Sequence, residues 1–429
     1  MIQESSRNTA ISVIIPCFNS ARTLEETLVS LVGQTFLDWE GIIVNDGSSD
    51  TTQQIAETWA KRDSRLRVIS QANKGLGAAR NSALKIATGR LVHCLDGDDK
   101  ISADFYERIV EAEKAHGLAP EGLCLTAGYI HFRDDGTVLK RFAAAPPERY
   151  TFERIAYSNA TPPVAYVFGR SILEKTGLFD ESIKHCQDWD LLIRMVRTGV
   201  RFAAVPEALA MYRVSDNSLS TKTIRFMETQ RIVALRAATP DPRCIQSAVV
   251  ATPVSTAGAE RSIIHLWNYN VGRALKMGWA ESAAELFTWG RLNLPAELWE
   301  QPGRFGVSPT YVGREVPSEI PPQYGPSRSR LLATLRFLSR EWPQITHRPG
   351  FGRTVLSSLL NLRVLPGAPG PLSRLSHFRQ LVDTAKLNGA AGMVAWAIAL
   401  SPGIVARSAA RRFKRTRIGD VSGAATTGQ

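Results

Sequence analysis

The first hundred residues alternate short apolar runs with amphipathic segments, and this alternation constrains the fold more than any other feature. Runs with the length and β-branched composition of buried strands occur at residues 11–16, 41–44, 66–69 and 90–95. Apolar residues at helical spacing lie between them, in segments 21–32, 51–60 and 77–87. Strands and helices that alternate at this spacing predict an α/β fold with a doubly wound, mostly parallel sheet.

Polar and glycine-rich motifs lie next to the predicted strands. NDGSSD (45–50) ends the second strand, NKGLGAARN (73–81) contains the start of a helix, and Pro16 and Asn19 lie where the first strand ends. Because ligands of doubly wound sheets bind beyond the carboxyl ends of the strands, we expect these loops to line one crevice. Glycines permit close approach to a ligand and helix N-termini favour anions, so Lys74 or Arg80 can meet a diphosphate.

An acidic cluster, LDGDD, directly follows the fourth predicted strand. Asp96, Asp98 and Asp99 repel one another, and burying them is costly unless a cation or hydrogen-bond donors compensate. Their hard oxygens suit magnesium or manganese. Asp-Gly-Asp is also typical of turns, so the cluster alone leaves a metal site and a surface turn open. The motifs upstream favour the metal site.

Charge and length divide the remainder of the chain. At 429 residues, two or three domains are expected. From residue 328 to the end there are 16 Lys and Arg against 3 Asp and Glu, a net charge of +13, whereas the whole chain carries +12. We therefore predict a sheet domain at 1–220, a helical extension at 221–300, a Pro/Gly-rich linker at 301–327 and a basic helical region at 328–429.

The apolar segment 389–406, followed by six Lys or Arg between residues 407 and 417, leaves three interpretations open. These are a buried helix, an interfacial helix and a marginal membrane span. We favour an interfacial helix, because basic residues beside an apolar helix attract anionic lipid. No nucleic acid is expected as a partner, since the region shows little aromatic interleaving.

Five scattered cysteines without a C-x-x-C pair predict neither a disulfide framework nor a zinc site. The polar N-terminus, MIQESSRNTA, has no apolar signal segment. Together these features favour a cytoplasmic protein, which the basic region would bring to the inner face of a membrane.

The motifs in their order resemble those of a known family. P-x-x-N, NDGSSD, NKGLGAARN, LDGDD and QDWDLLIR are similar to the motifs of family 2 glycosyltransferases, nucleotide-diphospho-sugar transferases of the Rossmann-like GT-A fold. The resemblance covers roughly residues 11–220, about half of the chain. It implies transfer of a sugar from a nucleotide-sugar donor to a saccharide or lipid-linked acceptor, with inversion, in cell-surface polysaccharide or glycolipid synthesis.

The resemblance also implies residue roles. Asp46 corresponds to the aspartate that contacts uracil, Arg80 to a diphosphate neighbour, and Asp96 and Asp98 to the D-x-D pair that holds Mg²⁺ or Mn²⁺. Asp96 would lie nearer the ribose or diphosphate and Asp98 nearest the metal. Asp188 corresponds to the base that takes the proton of the acceptor hydroxyl. From these residues alone, we would favour Asp188 as the cap of the following helix or a partner of its dipole, whereas the upstream motifs favour the base.

Two positions depart from the family pattern. Gln187 precedes Asp188 where the family often has Glu, and no His follows Met-Tyr-Arg at 211–213. The missing His leaves Arg213 as the candidate for a late phosphate contact. Two other functions stay open: a nucleotidyltransferase-like enzyme on a similar sheet, and a catalytically silent module that binds nucleotide-sugars.

Overall fold

A computed structural model describes residues 9–116, 122–159, 161–214, 223–244, 254–277 and 280–295. The predicted linker at 301–327 and the basic region at 328–429, including segment 389–406, lie outside the described residues. The chain divides into two compact units, Met1–Leu266 and Trp267–Gln429. The four domain boundaries proposed from the sequence stay a prediction.

The first four strands form the predicted parallel half of the sheet. Strands β1 (Ile11–Cys17), β2 (Trp39–Asp46), β3 (Leu66–Gln71) and β4 (Leu91–Cys94) pair in parallel in the order β3-β2-β1-β4. Helices α1 (Leu24–Val32), α2 (Thr52–Arg62) and α3 (Leu76–Leu84) alternate with them. This confirms the predicted α/β class and brings the carboxyl ends of four strands to one edge.

The second half of the sheet mixes parallel and antiparallel strands. Its strands are β5 (Lys100–Ile101), β6 (Leu123–Phe132), β7 (Val138–Phe142), β8 (Tyr166–Gly169) and β9 (Arg201–Arg213). They extend the sheet from β4 in the order β8-β6-β9-β5, with β7 on β6. Only β6 and β9 are parallel there, and the remaining pairs are antiparallel. Strand β5 directly follows the loop after β4, so its antiparallel pairing with β9 brings the end of β9 next to that loop.

Helices follow or separate the strands of this second half along the chain. They are α4 (Phe105–Ala115), α5 (Phe152–Tyr157), α6 (Ile172–Thr176), α7 (Gln187–Arg197) and α8 (Thr223–Ala237), with 3₁₀ helices at Pro147–Tyr150 and Pro163–Ala165. Helices α9 (Thr256–Met277) and α10 (Ala280–Asn293) confirm the predicted helical character beyond residue 220. No helix in the described ranges combines the length and apolar character needed to cross a bilayer.

Burial explains why the first strand and helix form where they do. Every residue of β1 is buried, and Leu24, Leu28 and Leu31 of α1 are buried in the same core. Each such side chain contributes roughly 1.5–3 kcal/mol on removal from water. The chain enters β4 through Gly89, where an added Cβ would lie 2.4 Å from the backbone nitrogen of Ser12. Only glycine therefore fits at this approach to β1.

Candidate active site

The loops that follow β1 and β2 are bonded to one another. Asn19 adopts a positive φ of 51°, and its Oδ1 accepts hydrogen bonds from the backbone nitrogen of Ser49 at 2.8 Å and the hydroxyl of Ser49 at 3.2 Å. Its own backbone nitrogen donates to Ser48 Oγ at 2.9 Å. In the next loop along the edge, Gly97 N donates to the carbonyl of Pro16 at 3.4 Å. Pro16, Asn19, NDGSSD and LDGDD therefore share one edge of the sheet.

Asp46 ends β2 and fixes the glycine-rich loop before α3. Its buried carboxylate accepts hydrogen bonds from Gln71 Nε2 at 2.7 Å, Lys74 N at 2.9 Å and Gly75 N at 2.8 Å. Gly75 has a φ of 96°, a conformation that favours glycine. The side chain of Lys74 is exposed, and its carbonyl accepts a bond from Lys184 Nζ at 3.2 Å. Contact of Asp46 with a nucleobase and of Lys74 with a diphosphate stay predictions.

Arg80 on α3 and Asp96 after β4 form a buried ion pair. Arg80 Nη2 donates to both carboxylate oxygens of Asp96, at 2.7 and 3.0 Å, and the Arg80 side chain is 2% exposed. The guanidinium also lies 5.1 Å from the ring centroid of Phe179. A cation is therefore fixed directly beside the first aspartate of LDGDD.

Asp98 and Asp99, the other two aspartates of LDGDD, differ from Asp96 in their contacts. The Asp99 carboxylate accepts a hydrogen bond from Arg213 N at 2.8 Å, which ties the loop to the end of β9. Burial raises the pKa of Asp99 well above the usual range, and the charge of Asp98 adds to this effect. Burial and the neighbouring Asp96 raise the pKa of Asp98 to about 6. The loop thus brings three carboxylates close together, and the charges of Arg80 and Arg213 compensate them only in part.

Arg213, a predicted phosphate ligand, is engaged by the protein itself. Its Nε donates to the carbonyl of Asp98 at 2.7 Å, Nη1 to Asp134 Oδ1 at 2.9 Å and Nη2 to Glu26 Oε2 at 3.0 Å. Each guanidinium nitrogen has a protein acceptor, so in this arrangement Arg213 holds the LDGDD loop. Phosphate binding by Arg213 stays a prediction that this geometry does not favour. Its partners Glu26 and Asp134 carry no motif, so sequence reasoning missed them.

Asp188 lies in the first turn of α7. The N-cap of α7 is Cys186, which has a left-handed φ of 57°, so the interpretation of Asp188 as the cap is wrong. Its half-buried carboxylate accepts a hydrogen bond from Asn159 Nδ2 at 2.8 Å. Burial raises the pKa of Asp188, and the opposing effects of Arg80 and Asn159 lower it only in part.

Asp190, two residues further along α7, has a structural role. It is 2% exposed and accepts bonds from Arg194 Nη2 at 2.9 Å, Arg243 Nη2 at 2.9 Å and Arg236 Nη1 at 3.1 Å. The two aspartates of QDWDLLIR therefore have different roles. Asp190 anchors the helix to α8 and the segment that follows α8, while Asp188 stays available for the site.

The chain was compared with known proteins, and residues 12–155 match the family described as glycosyl transferase family 2. EpsJ of Bacillus subtilis (strain 168), a glycosyltransferase, is 34% identical over 224 residues, which are 49% of this chain and 62% of EpsJ. TuaG of the same organism, whose name assigns it to teichuronic acid biosynthesis, is 33% identical over 213 residues, which are 49% of this chain and 81% of TuaG. The chain thus spans less than two thirds of EpsJ but most of TuaG.

A solved structure was also found, a mannosyltransferase from Pyrobaculum calidifontis in complex with GDP-Man and Mn²⁺. It is 17% identical, with 79% of this chain and 88% of that chain covered, and its TM-score is 0.44. A score at this level supports no conclusion about the site.

Proposed function

The chain belongs to glycosyl transferase family 2, and we propose that it is an inverting, metal-dependent glycosyltransferase. The donor is a nucleoside-diphosphate sugar, and the acceptor is a hydroxyl of a saccharide or lipid-linked saccharide. Synthesis of a cell-surface polysaccharide or glycolipid is the proposed setting, which the relationship to TuaG supports. Asp188 is the catalytic base, and Asp96 and Asp98 are the metal-binding carboxylates.

One observation supports this proposal more than any other. Arg80 is ion-paired with Asp96 and also lowers the pKa of Asp188 electrostatically. The charge of one guanidinium therefore acts on both the acidic loop after β4 and the carboxylate on α7, although the two motifs are about ninety residues apart in sequence. A base and an anion-binding cation at one site are what displacement of a nucleoside diphosphate requires.

The residues of LDGDD fit a divalent cation. Asp98 is half-buried, its pKa is raised to about 6, and no salt bridge to its carboxylate occurs in the described part of the chain. A divalent cation would compensate this charge, and carboxylate oxygens suit Mg²⁺ or Mn²⁺. Among the described residues, no cluster of three or more His, Cys, Asp or Glu could hold a metal ion. Asp96 and Asp98 would therefore share the cation with donor phosphate oxygens.

The proposed mechanism gives each carboxylate one role. Asp188 accepts the proton of the acceptor hydroxyl while that oxygen attacks the anomeric carbon of the donor sugar. The bond to the nucleoside diphosphate breaks on the opposite face, so the anomeric configuration inverts. When bound, the cation neutralises charge that develops on the leaving diphosphate. Arg80, fixed by Asp96, adds a permanent positive charge near the same atoms.

Nucleotide release provides the test. The full chain is incubated with UDP-glucose, UDP-galactose, UDP-N-acetylglucosamine and GDP-mannose, which vary the base and the sugar, and with Mn²⁺. We expect release from at least one donor, loss of release with a chelator, and recovery on adding Mn²⁺. Asp98→Asn lowers the rate at least about 100-fold, because stabilisation of the leaving group is lost. Asp135→Asn, which alters an exposed turn carboxylate of the β6–β7 hairpin, leaves the rate unchanged.

The same assay separates the other two functions. Pyrophosphate formed from a nucleoside triphosphate and a sugar phosphate would identify a nucleotidyltransferase. Binding of a nucleotide-sugar without release of any nucleotide would identify a silent binding module. Release that is insensitive to the chelator would contradict the metal dependence.

A further inference from the structure

Asn159 lies outside every motif of the sequence, yet its side chain touches the proposed base. We propose that Asn159 is a positioning residue for Asp188, whose amide fixes the carboxylate in the rotamer that receives the acceptor proton. The inference rests on the proposed role of Asp188 as the base. It starts from the 2.8 Å hydrogen bond from Asn159 Nδ2 to Asp188 Oδ2.

The orientation of the Asn159 amide is set from its other end. Asn159 Oδ1 accepts a hydrogen bond from the backbone nitrogen of Thr161 at 3.4 Å. A backbone nitrogen only donates and a carboxylate only accepts, so a flipped amide would oppose both neighbours. The amino group therefore faces Asp188, where it stabilises the ionised form of the carboxylate.

Asn159 itself is exposed, but the described residues on both sides of it are held by hydrogen bonds. Thr161 is buried, and its hydroxyl is hydrogen-bonded to Tyr150, whose ring stacks on Phe202 with centroids 4.1 Å apart. On the other side, α5 is bonded to α7 by Trp189 Nε1, which donates to the carbonyl of Ile155 at 2.6 Å. The segment that carries Asn159 and the helix that carries Asp188 are thus bonded directly to each other.

Further support for α5 comes from α9. Ser262 Oγ donates to the carbonyl of Tyr157, the last residue of α5, at 2.7 Å. The ring of Tyr157 also lies 4.9 Å from the ring of His265. These contacts hold the end of α5 two residues before Asn159, so the start of α9 takes part in holding the segment.

Several other groups also shift the pKa of Asp188 and therefore affect the pH dependence of activity. Arg80 lowers the pKa of Asp188, whereas Asp96 raises it. Because these two residues are ion-paired with each other, replacing Asn159 changes their effect on Asp188 little. Among the described residues, the other groups whose pKa the charge of Asp188 raises are phenols and thiols: Tyr166, Tyr212, Cys94 and Cys186. Burial raises the pKa of each of them, so none ionises in the acid range. Asp98, whose pKa is raised to about 6, is common to the wild type and the Asn159 variants, so a shift of the acid limb between them reports on Asp188.

The test uses the full chain, Mn²⁺ and whichever of the four nucleotide-sugars the wild type cleaves. Asn159→Ala lowers kcat roughly tenfold with the donor KM unchanged, and moves the acid limb of kcat to higher pH by roughly one unit. Asn159→Asp places a second carboxylate beside Asp188 and moves the limb further in the same direction. Ser158→Ala, on the neighbouring residue, leaves kcat and the limb unchanged. Asn159 is exposed, so the variants keep the wild-type melting temperature.

The outcomes separate this inference from the proposed function. In an Asp188→Asn background, adding Asn159→Ala causes no further loss, because the carboxylate that it positions is absent. If Asp188→Asn inactivates the protein but Asn159→Ala changes neither kcat nor the acid limb, the positioning role is overturned and the proposed function stands. If Asp188→Asn retains activity, or the wild type cleaves no donor, the proposed function fails and this inference fails with it.

Discussion

Asp188→Asn is expected to lower kcat by roughly 10²–10⁴, with the donor KM nearly unchanged. The amide has the size of the carboxylate and still fits beside Asn159, but it cannot accept the proton of an attacking hydroxyl. Arg80, Asp96 and Asp98 are untouched by the change, so donor binding is retained. The measurement is a steady-state analysis of nucleotide release at saturating Mn²⁺. Glu174→Gln, on the exposed face of α6, serves as the matched control and keeps full activity.

The pH profile supplies a second readout for Asp188. Burial raises the pKa of its carboxylate, and only the ionised form acts as a base. Activity is therefore lost as the pH falls through a value above that of an ordinary aspartate, which is about 3.9. In Asp188→Asn the part of the acid limb that belongs to Asp188 is lost, and a limb that remains belongs to Asp98, whose pKa is raised to about 6. A variant that raises the donor KM while kcat and the limb persist would show that Asp188 binds substrate and is not the base.

The half of the sheet built from β1 to β4 was predictable because its strands are short and apolar and alternate with helices. Local composition alone carries that signal. The other half was not predictable in the same way. Strand β9 contains Arg201, Pro206, Glu207 and Arg213, and its pairing with β6 depends on contacts between distant segments. Such pairings leave no periodic trace in a single sequence.

The site shows a similar division. The position of the loops after β1, β2 and β4 at the carboxyl edge was predictable, because strand ends are visible in the sequence. Their partners were not, since Arg213 and Glu26 are separated by 187 residues and only the fold makes them neighbours. The expectation that Arg213 binds phosphate did not take into account its acceptors within the protein, such as Glu26. Asn159 gave no signal, because an asparagine that follows a short helix is typical of an ordinary turn.

The largest effect on stability is expected at Asp190. Asp190→Ala leaves Arg194, whose side chain is 1% exposed, without its carboxylate partner. Removing one member of a buried ion pair typically costs about 3–5 kcal/mol, because the remaining charge stays buried and uncompensated. Arg236 and Arg243 lose an acceptor as well, so α8 and the segment after it are released from α7. The free energy of unfolding is measured by urea titration, followed through tryptophan fluorescence, to which the adjacent, buried Trp189 contributes.

The chain offers a matched control for this experiment. Asp104 and Arg108 also pair at i, i+4 on a helix, at 3.3 Å, but their side chains are 39% and 42% exposed. Because an exposed pair is worth about 0–1 kcal/mol, Asp104→Ala is expected to change stability little. Equal losses from Asp190→Ala and Asp104→Ala would show that burial does not strengthen the Asp190 network. In the double variant Asp190→Ala/Arg194→Ala both charges are removed, so neither stays buried without its partner. The double variant should therefore destabilise the protein less than the sum of the two single changes. A strictly additive double variant would mean that Asp190 holds α7 through Arg236 and Arg243 instead of through Arg194.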